Sequence, residues 1–215
     1  MNNTVCCVHK GSTKNHFLYL CPDEKHGLFF QYMSNMANNG VRDRKLLNIE
    51  LGRVSTGEYK NLPESGVVVV LDNIRSAHNV GSVFRTADSF RMDKVYLCGI
   101  TASPPSAEIH KSALGAEYSV AWEHCQDTVA LVGQLRASGY VIVSVEQTVN
   151  SVKLDEFRRD KDRKYALVFG NEVDGVSQDV VDASDFALEI PQYGTKHSLN
   201  VSVSVGVILW NFRPL

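Results

Sequence analysis

The sequence predicts an α/β fold, a parallel sheet covered by helices, on three observations. Short apolar segments alternate with helical ones from residue 67 onward. Several of those short segments, such as Val67-Val68-Val69-Val70-Leu71, are apolar on both faces, as strands buried between two layers must be. At 215 residues and 44% hydrophobic content, the chain is long enough to bury one substantial core.

In chain order, residues 1–40 hold three of the five cysteines and show neither helical nor strand periodicity. They read as an irregular leader, disordered or accessory. Residues 41–65 read as a helical extension and linker. An amphipathic helix with a basic first turn is expected over residues 42–51, where Leu47 and Leu51 fall four apart, and a linker over residues 61–66 carries Pro63 and Gly66. The core, residues 66–215, is expected to contain strands at 67–71, 94–98, 140–145, 165–169 and 186–190. Helices are expected at about 79–90, 128–137 and 199–212. No internal repeat is visible.

Composition excludes several classes. A net charge of −2 and pI near 6.4 argue against indiscriminate polyanion binding, so any nucleic-acid contact must use local basic patches. Arg42, Arg44, Lys45, Arg53 and Lys60 form the best such patch, or else a solvated face. The longest apolar stretch, residues 201–210, is broken by Ser202 and Ser204 and falls well short of the roughly 20 residues of a membrane span. With no signal-peptide pattern, a cytoplasmic location is expected. Cys6, Cys7, Cys21, Cys98 and Cys125 lack the regular spacing of a disulfide framework. The leader's Cys6, Cys7, His9, His16, Cys21 and His26 suit zinc by type alone, but no Cys-x-x-Cys pair is present and no metal is expected.

Three segments carry chemistry. The first runs from Asp72 off a buried strand into a helix containing Asn79, Gly81 and Arg85. Strand ends and helix starts are where parallel α/β folds place ligands; a capped core helix with a surface arginine fits the same residues. Asn79 can cap that helix, and Gly81 permits close approach of another backbone. The second segment, Gly170-Asn171-Glu172-Val173-Asp174-Gly175, ends a buried strand in a turn closed by Gly175, and is either a ligand-facing carboxylate turn or an ordinary strand exit. The third passes from Ile190-Pro191 through Gly194 to Ser198-Leu199-Asn200-Val201, with Ser198 as expected N-cap of the last helix. Its polar residues, set into so apolar a helix, call for a ligand, a second chain or another loop. His197 reads as lining this loop, and the segment Lys111 to Ala116 as a helix end with Gly115.

The order and content of these segments resemble the SpoU/TrmH family of the SPOUT methyltransferases, over about residues 67–213. Asn79-x-Gly81-x-x-x-Arg85-x-Ala87, Gly170-Asn171-Glu172-x-x-Gly175 and Ile190-Pro191-x-x-Gly194 with Ser198-Leu199-Asn200-Val201 match its three motifs. The resemblance implies a C-terminal deep trefoil knot, a homodimer, and transfer of methyl from S-adenosylmethionine to a ribose 2′-hydroxyl of tRNA or rRNA. It implies Gly170, Ile190 and Leu199 as cofactor contacts. Arg85 would be the catalytic group, Glu172 and Asn200 would orient it or the ribose, Asn79 would hold the motif loops together, and Ser198 would touch arginine or phosphate. Arginine is a difficult general base, since its pKa lies above about 12, so the expectation is importance and not a proton role. The rival is a catalytically silent RNA-binding or assembly protein of the same fold. A nucleotide-binding oxidoreductase fails for want of a Gly-x-Gly-x-x-Gly turn.

Overall fold

A computed structural model describes residues 43–214. The chain divides into two units, Met1–Gly52 and Arg53–Leu215. The leader and Arg42 lie outside the described residues. In the first unit, the amphipathic helix expected over residues 42–51 reduces to a single 3-10 turn, Asn48–Leu51, ending at Gly52 in the left-handed region. Arg44 grips Glu50 with both guanidinium nitrogens, at 2.9 and 2.7 Å, and Glu50 also accepts from the Leu47 amide. Pairs three or four apart meet on an α-helix and pairs six apart do not, in keeping with the non-helical path of residues 43–47. Leu46, Leu47 and Ile49 are exposed.

The second unit begins with a short helix, α1 (Thr56–Tyr59), capped by Ser55. This unit takes in residues 53–65 together with the core. Tyr59 donates to the Met92 carbonyl at 3.3 Å, and burial pushes its phenol pKa up. The sheet has seven strands, all parallel: β1 (Val67–Asp72), β2 (Lys94–Cys98), β3 (Ala121–Cys125), β4 (Tyr140–Val145), β5 (Val152–Lys153), β6 (Lys164–Phe169) and β7 (Phe186–Glu189). Their spatial order is β3-β2-β1-β6-β4-β7-β5. The helices are α2 (Ala77–Ser89), α3 (Ala107–Ala113), α4 (Ala116–Ser119), α5 (Thr128–Ala137), α6 (Gln178–Asp182) and α7 (Val201–Phe212).

Both faces of the sheet are covered, as the apolar runs demand. Val67, Val69 and Leu71 pack with Val80, Val83 and Phe84 of α2 and Val205, Ile208 and Phe212 of α7. Val68 and Val70 point the other way, toward Leu131, Val132 and Leu135 of α5 and Val180 of α6. Gly81 does what its position suggested: a Cβ there would lie 2.4 Å from the Ile109 carbonyl oxygen, so α2 and α3 approach backbone to backbone only because it is glycine. Strand β3 was not expected from the sequence, because all but one of its residues are exposed and it lacks an apolar run.

No helix among the described residues is long and apolar enough to cross a membrane.

Candidate functional site

Register brings the carboxyl ends of three strands level. Val145 of β4 stands beside Phe169 of β6 on one side and Leu188 of β7 on the other. Outside these ends lies an open cavity of about 310 Å³, within the range of small-molecule sites. Phe169, Leu188, Ile190, Leu199 and Val201 supply apolar walls, and the 170–175 turn and the loop before α7 complete the lining. Gly170, Ile190 and Leu199, the expected cofactor contacts, all line it, as do Glu172, Ser198 and His197.

The turn after β6 is built locally. Asn171 and Gly175 exchange backbone hydrogen bonds, and the Asn171 side-chain oxygen accepts from the amides of Val173 and Asp174. Gly170 is obligatory for a reason the sequence did not reveal: a Cβ there would fall 1.8 Å from the Gly175 carbonyl carbon. Its hydrogen faces the turn's own backbone, so the glycine closes the turn rather than admitting a ligand to that side. The chain just after the turn is held to β1 by Asp72, a buried carboxylate outside the three motif patterns. Asp72 accepts from Thr128 Oγ1 at 2.6 Å, from Asn73, and from both the amide and hydroxyl of Ser177. An acidic residue ending a wholly apolar strand was the available signal, since such a group must find donors.

Glu172 joins the second motif to the first. Its carboxylate accepts from the amides of Arg75 and Ser76, at 3.1 and 3.2 Å, and from Asn79 Nδ2 at 2.8 Å. Partial burial works against its charge, yet these donors together hold its pKa below the usual carboxylate range. Arg75 also lies 3.7 Å from Asp174. Asn79 in turn accepts from Asn200 Nδ2 at 3.4 Å, and Asn200 Oδ1 takes the Ser202 amide at 2.9 Å. One chain of polar contacts thus runs Glu172, Asn79, Asn200 and unites all three motifs.

Two caps differ from expectation. Ser76, not Asn79, caps α2 by accepting from the Asn79 amide, which frees the Asn79 side chain for Glu172 and Asn200. Asn200, not Ser198, caps α7, which starts at Val201 and not at Leu199. At α2 the capping residue lies three positions earlier and leaves the Asn79 side chain to its distant partners, whereas at α7 Asn200 both caps and reaches Asn79. Ser198 is exposed and makes no hydrogen bond among the described residues.

Arg85 is exposed on α2, and its guanidinium has no hydrogen bond or ion pair among the described residues. Neither Glu172 nor Asn200 hydrogen-bonds to it; both serve the loops instead. The remaining expected residues, Asn79, Glu172, Asn200, Ser198, Gly170, Ile190 and Leu199, gather at the cavity and its mouth.

A parallel sheet with a cavity at its carboxyl edge, lined by the second- and third-motif loops, defines a small-molecule-binding α/β class. The model of the SpoU rRNA Methylase family matches residues 66–210, and the chain belongs to that family. A tRNA (guanosine(18)-2'-O)-methyltransferase of Aquifex aeolicus is 32% identical over 148 residues, covering 68% of each chain. The 23S rRNA (guanosine-2'-O-)-methyltransferase RlmB of Nitrosomonas europaea is 32% identical, covering 75% of this chain and 62% of its own. Among solved structures, an AdoMet-bound rRNA methyltransferase from Sinorhizobium meliloti superposes with TM-score 0.65 at 26% identity, covering 72% of this chain and 59% of its own. The A. aeolicus TrmH/SpoU tRNA modifying enzyme gives 0.64 at 28%, covering 73% and 80%. This chain therefore spans about 60% of the length of the rRNA-modifying relatives and more of the tRNA-modifying one.

Proposed function

We propose that the chain is an S-adenosylmethionine-dependent RNA methyltransferase that modifies a ribose 2′-hydroxyl of tRNA or rRNA. The observation that carries this reading is the Glu172–Asn79–Asn200 contact chain at the mouth of a cavity lined by Gly170, Ile190 and Leu199. The cavity suits the cofactor in size and kind, with apolar walls for a flat base. When bound, the cofactor supplies an electrophilic methyl group.

The protein's own task is to place a ribose oxygen in line with that methyl and to ease its proton away. Arg85 serves this by its planar donor fork, which can hold a phosphate and the attacking oxygen together. Its lack of an internal partner among the described residues leaves the fork available to RNA. Glu172, Asn79 and Asn200 act as positioning residues that keep the three loops in register, and Ser198 stands at the mouth for a substrate phosphate. Within the second unit, docking of the RNA draws on the exposed cations Arg53 and Lys60.

The working unit is a homodimer, with the C-terminal segment folded into the knot that the family resemblance implies, in the cytoplasm. Val203, Val207 and Trp210 form an exposed apolar stripe on α7 at helical spacing, opposite the buried Val201, Val205, Ile208 and Phe212.

Incubation with methyl-labelled cofactor and tRNA or rRNA transcripts, followed by nuclease mapping, tests the reaction. Label on a 2′-O-methyl nucleotide is expected. Label on a base would overturn the ribose assignment, and cofactor binding without transfer to any RNA would favour the silent RNA-binding protein.

A further inference from the structure

The cofactor cavity contains four carboxylates, Glu146, Glu172, Asp174 and Glu189, and three of them are already engaged by side chains. Glu189 Oε2 accepts from Lys153 Nζ and Ser151 Oγ at 2.5 Å each. Glu172 is committed to Asn79 and two amides, and Asp174 lies beside Arg75. Glu146 differs. It follows Val145 at the end of β4, half-buried, and its oxygens each accept one backbone amide: Oε1 from Gln147 at 2.8 Å and Oε2 from Val176 at 3.0 Å. It has no side-chain partner among the described residues. Each carboxylate oxygen offers about two acceptor positions, so both retain one.

The carboxylate is also held in place from behind. Gly175 adopts φ +71°, and a Cβ there would lie 2.2 Å from Glu146 Oε2, so glycine makes room for the carboxylate against the turn. A partly buried anion fixed by two amides and still short of donors is poised for a ligand that brings hydroxyl or amine hydrogens. Its position decides between them. Val145, Phe169 and Leu188 form the level apolar floor immediately beside it, the surface suited to a flat base. The sugar is bonded directly to that base, whereas the amino-acid end lies farther off. A carboxylate at the carboxyl end of a parallel strand is also how dinucleotide folds read a ribose hydroxyl.

We infer that Glu146 is a cofactor-contacting residue, its two carboxylate oxygens accepting hydrogen bonds from the vicinal ribose hydroxyls of the adenosine moiety. This rests on the cavity being the cofactor site, and the test keeps the two apart. Calorimetry on the full chain would compare S-adenosylhomocysteine, its 2′-deoxy and 3′-deoxy analogues, and 5′-methylthioadenosine, which has the ribose but no amino-acid tail. The parent should bind at least one deoxy analogue about tenfold more weakly, the scale of a charge-assisted hydrogen bond. Glu146→Gln, which keeps the shape, should bind S-adenosylhomocysteine and 5′-methylthioadenosine more weakly by the same factor and discriminate less against the deoxy analogues. A parent that binds both deoxy analogues as tightly as S-adenosylhomocysteine overturns the assignment, whatever the variant's folding. A Glu146→Gln loss confined to the ligand with the tail overturns it too, by moving the carboxylate to the ammonium. Failure of the underlying cavity reading shows separately, as unchanged S-adenosylhomocysteine affinity in Ile190→Trp.

Discussion

Arg85 stands apart from the other motif residues, and that separation makes its role testable. Because its side chain contacts neither the cavity nor the Glu172–Asn79–Asn200 chain, Arg85→Ala should leave cofactor affinity and melting temperature close to those of the parent. Methyl transfer should fall at least about a hundredfold, the usual scale for a positioned catalytic group. Arg85→Lys should lose nearly as much, since lysine keeps the charge but not the planar fork. Turnover near the parent's in single-turnover assays of either variant would remove Arg85 from the reaction. Gly170 predicts the reverse pattern. Gly170→Leu should lower the melting temperature as well as cofactor affinity, since its side chain must displace the Gly175–Val176 backbone. A variant as stable as the parent would show that the turn can relax.

At the scale of elements, α7 is the place where two demands meet. Its inner face fills the core, and Asn200 ends it with a cap that also reaches Asn79. Asn200→Ala should cost about 1 kcal/mol for the cap alone, read by denaturant unfolding. Asn200→Asp, which keeps the capping oxygen but cannot donate to Asn79, should recover most of that stability while leaving activity depressed. On the outer face, Val207→Glu should shift the protein toward monomer in light scattering if the exposed stripe is a subunit contact. An unchanged mass would assign the stripe elsewhere.

The core elements were legible in the sequence wherever one property dominated: the β-branched run of β1 and the apolar strands β2, β4, β6 and β7 stand at or within a residue or so of their expected bounds. The polar edge strand β3 was not, because its exposed residues carry no periodic signal. The caps were misplaced where several polar residues stand near a helix start and local sequence does not say which of them caps. Asn79 bonds to residues 93 and 121 positions away, which no local pattern encodes. Over residues 42–51 two leucines four apart did not suffice for a helix, since Leu47 and Leu51 are exposed and bury no apolar face.

For the molecule as a whole, the polar chain among the motifs sets a sensitivity to acid. Glu172 has its pKa held below the ordinary carboxylate value, so its contribution to stability is fully present above the unfolded value, near 4.3, and fades as pH falls through the lower folded value. The melting temperature of the parent should exceed that of Glu172→Gln at neutral pH, and the gap should narrow as pH drops below about 4. A gap that stays constant to pH 3 would mean that hydrogen bonding alone, without charge, accounts for the effect.

Strand order sets the timing of assembly. β6 lies between β1 and β4, and β1 pairs with it across about 100 residues of intervening chain. Until that late strand arrives, β1 presents an unpaired edge that is apolar from Val67 to Leu71, and the early β1-β2-β3 ribbon and β4 remain separate pieces. A nascent or truncated chain lacking β6 is thus a sticky half-sheet rather than a smaller version of the protein. The segment that closes this gap is the one that ends in Gly170 and Glu172, so the sheet becomes whole only with the strand that delivers the ligand-facing turn.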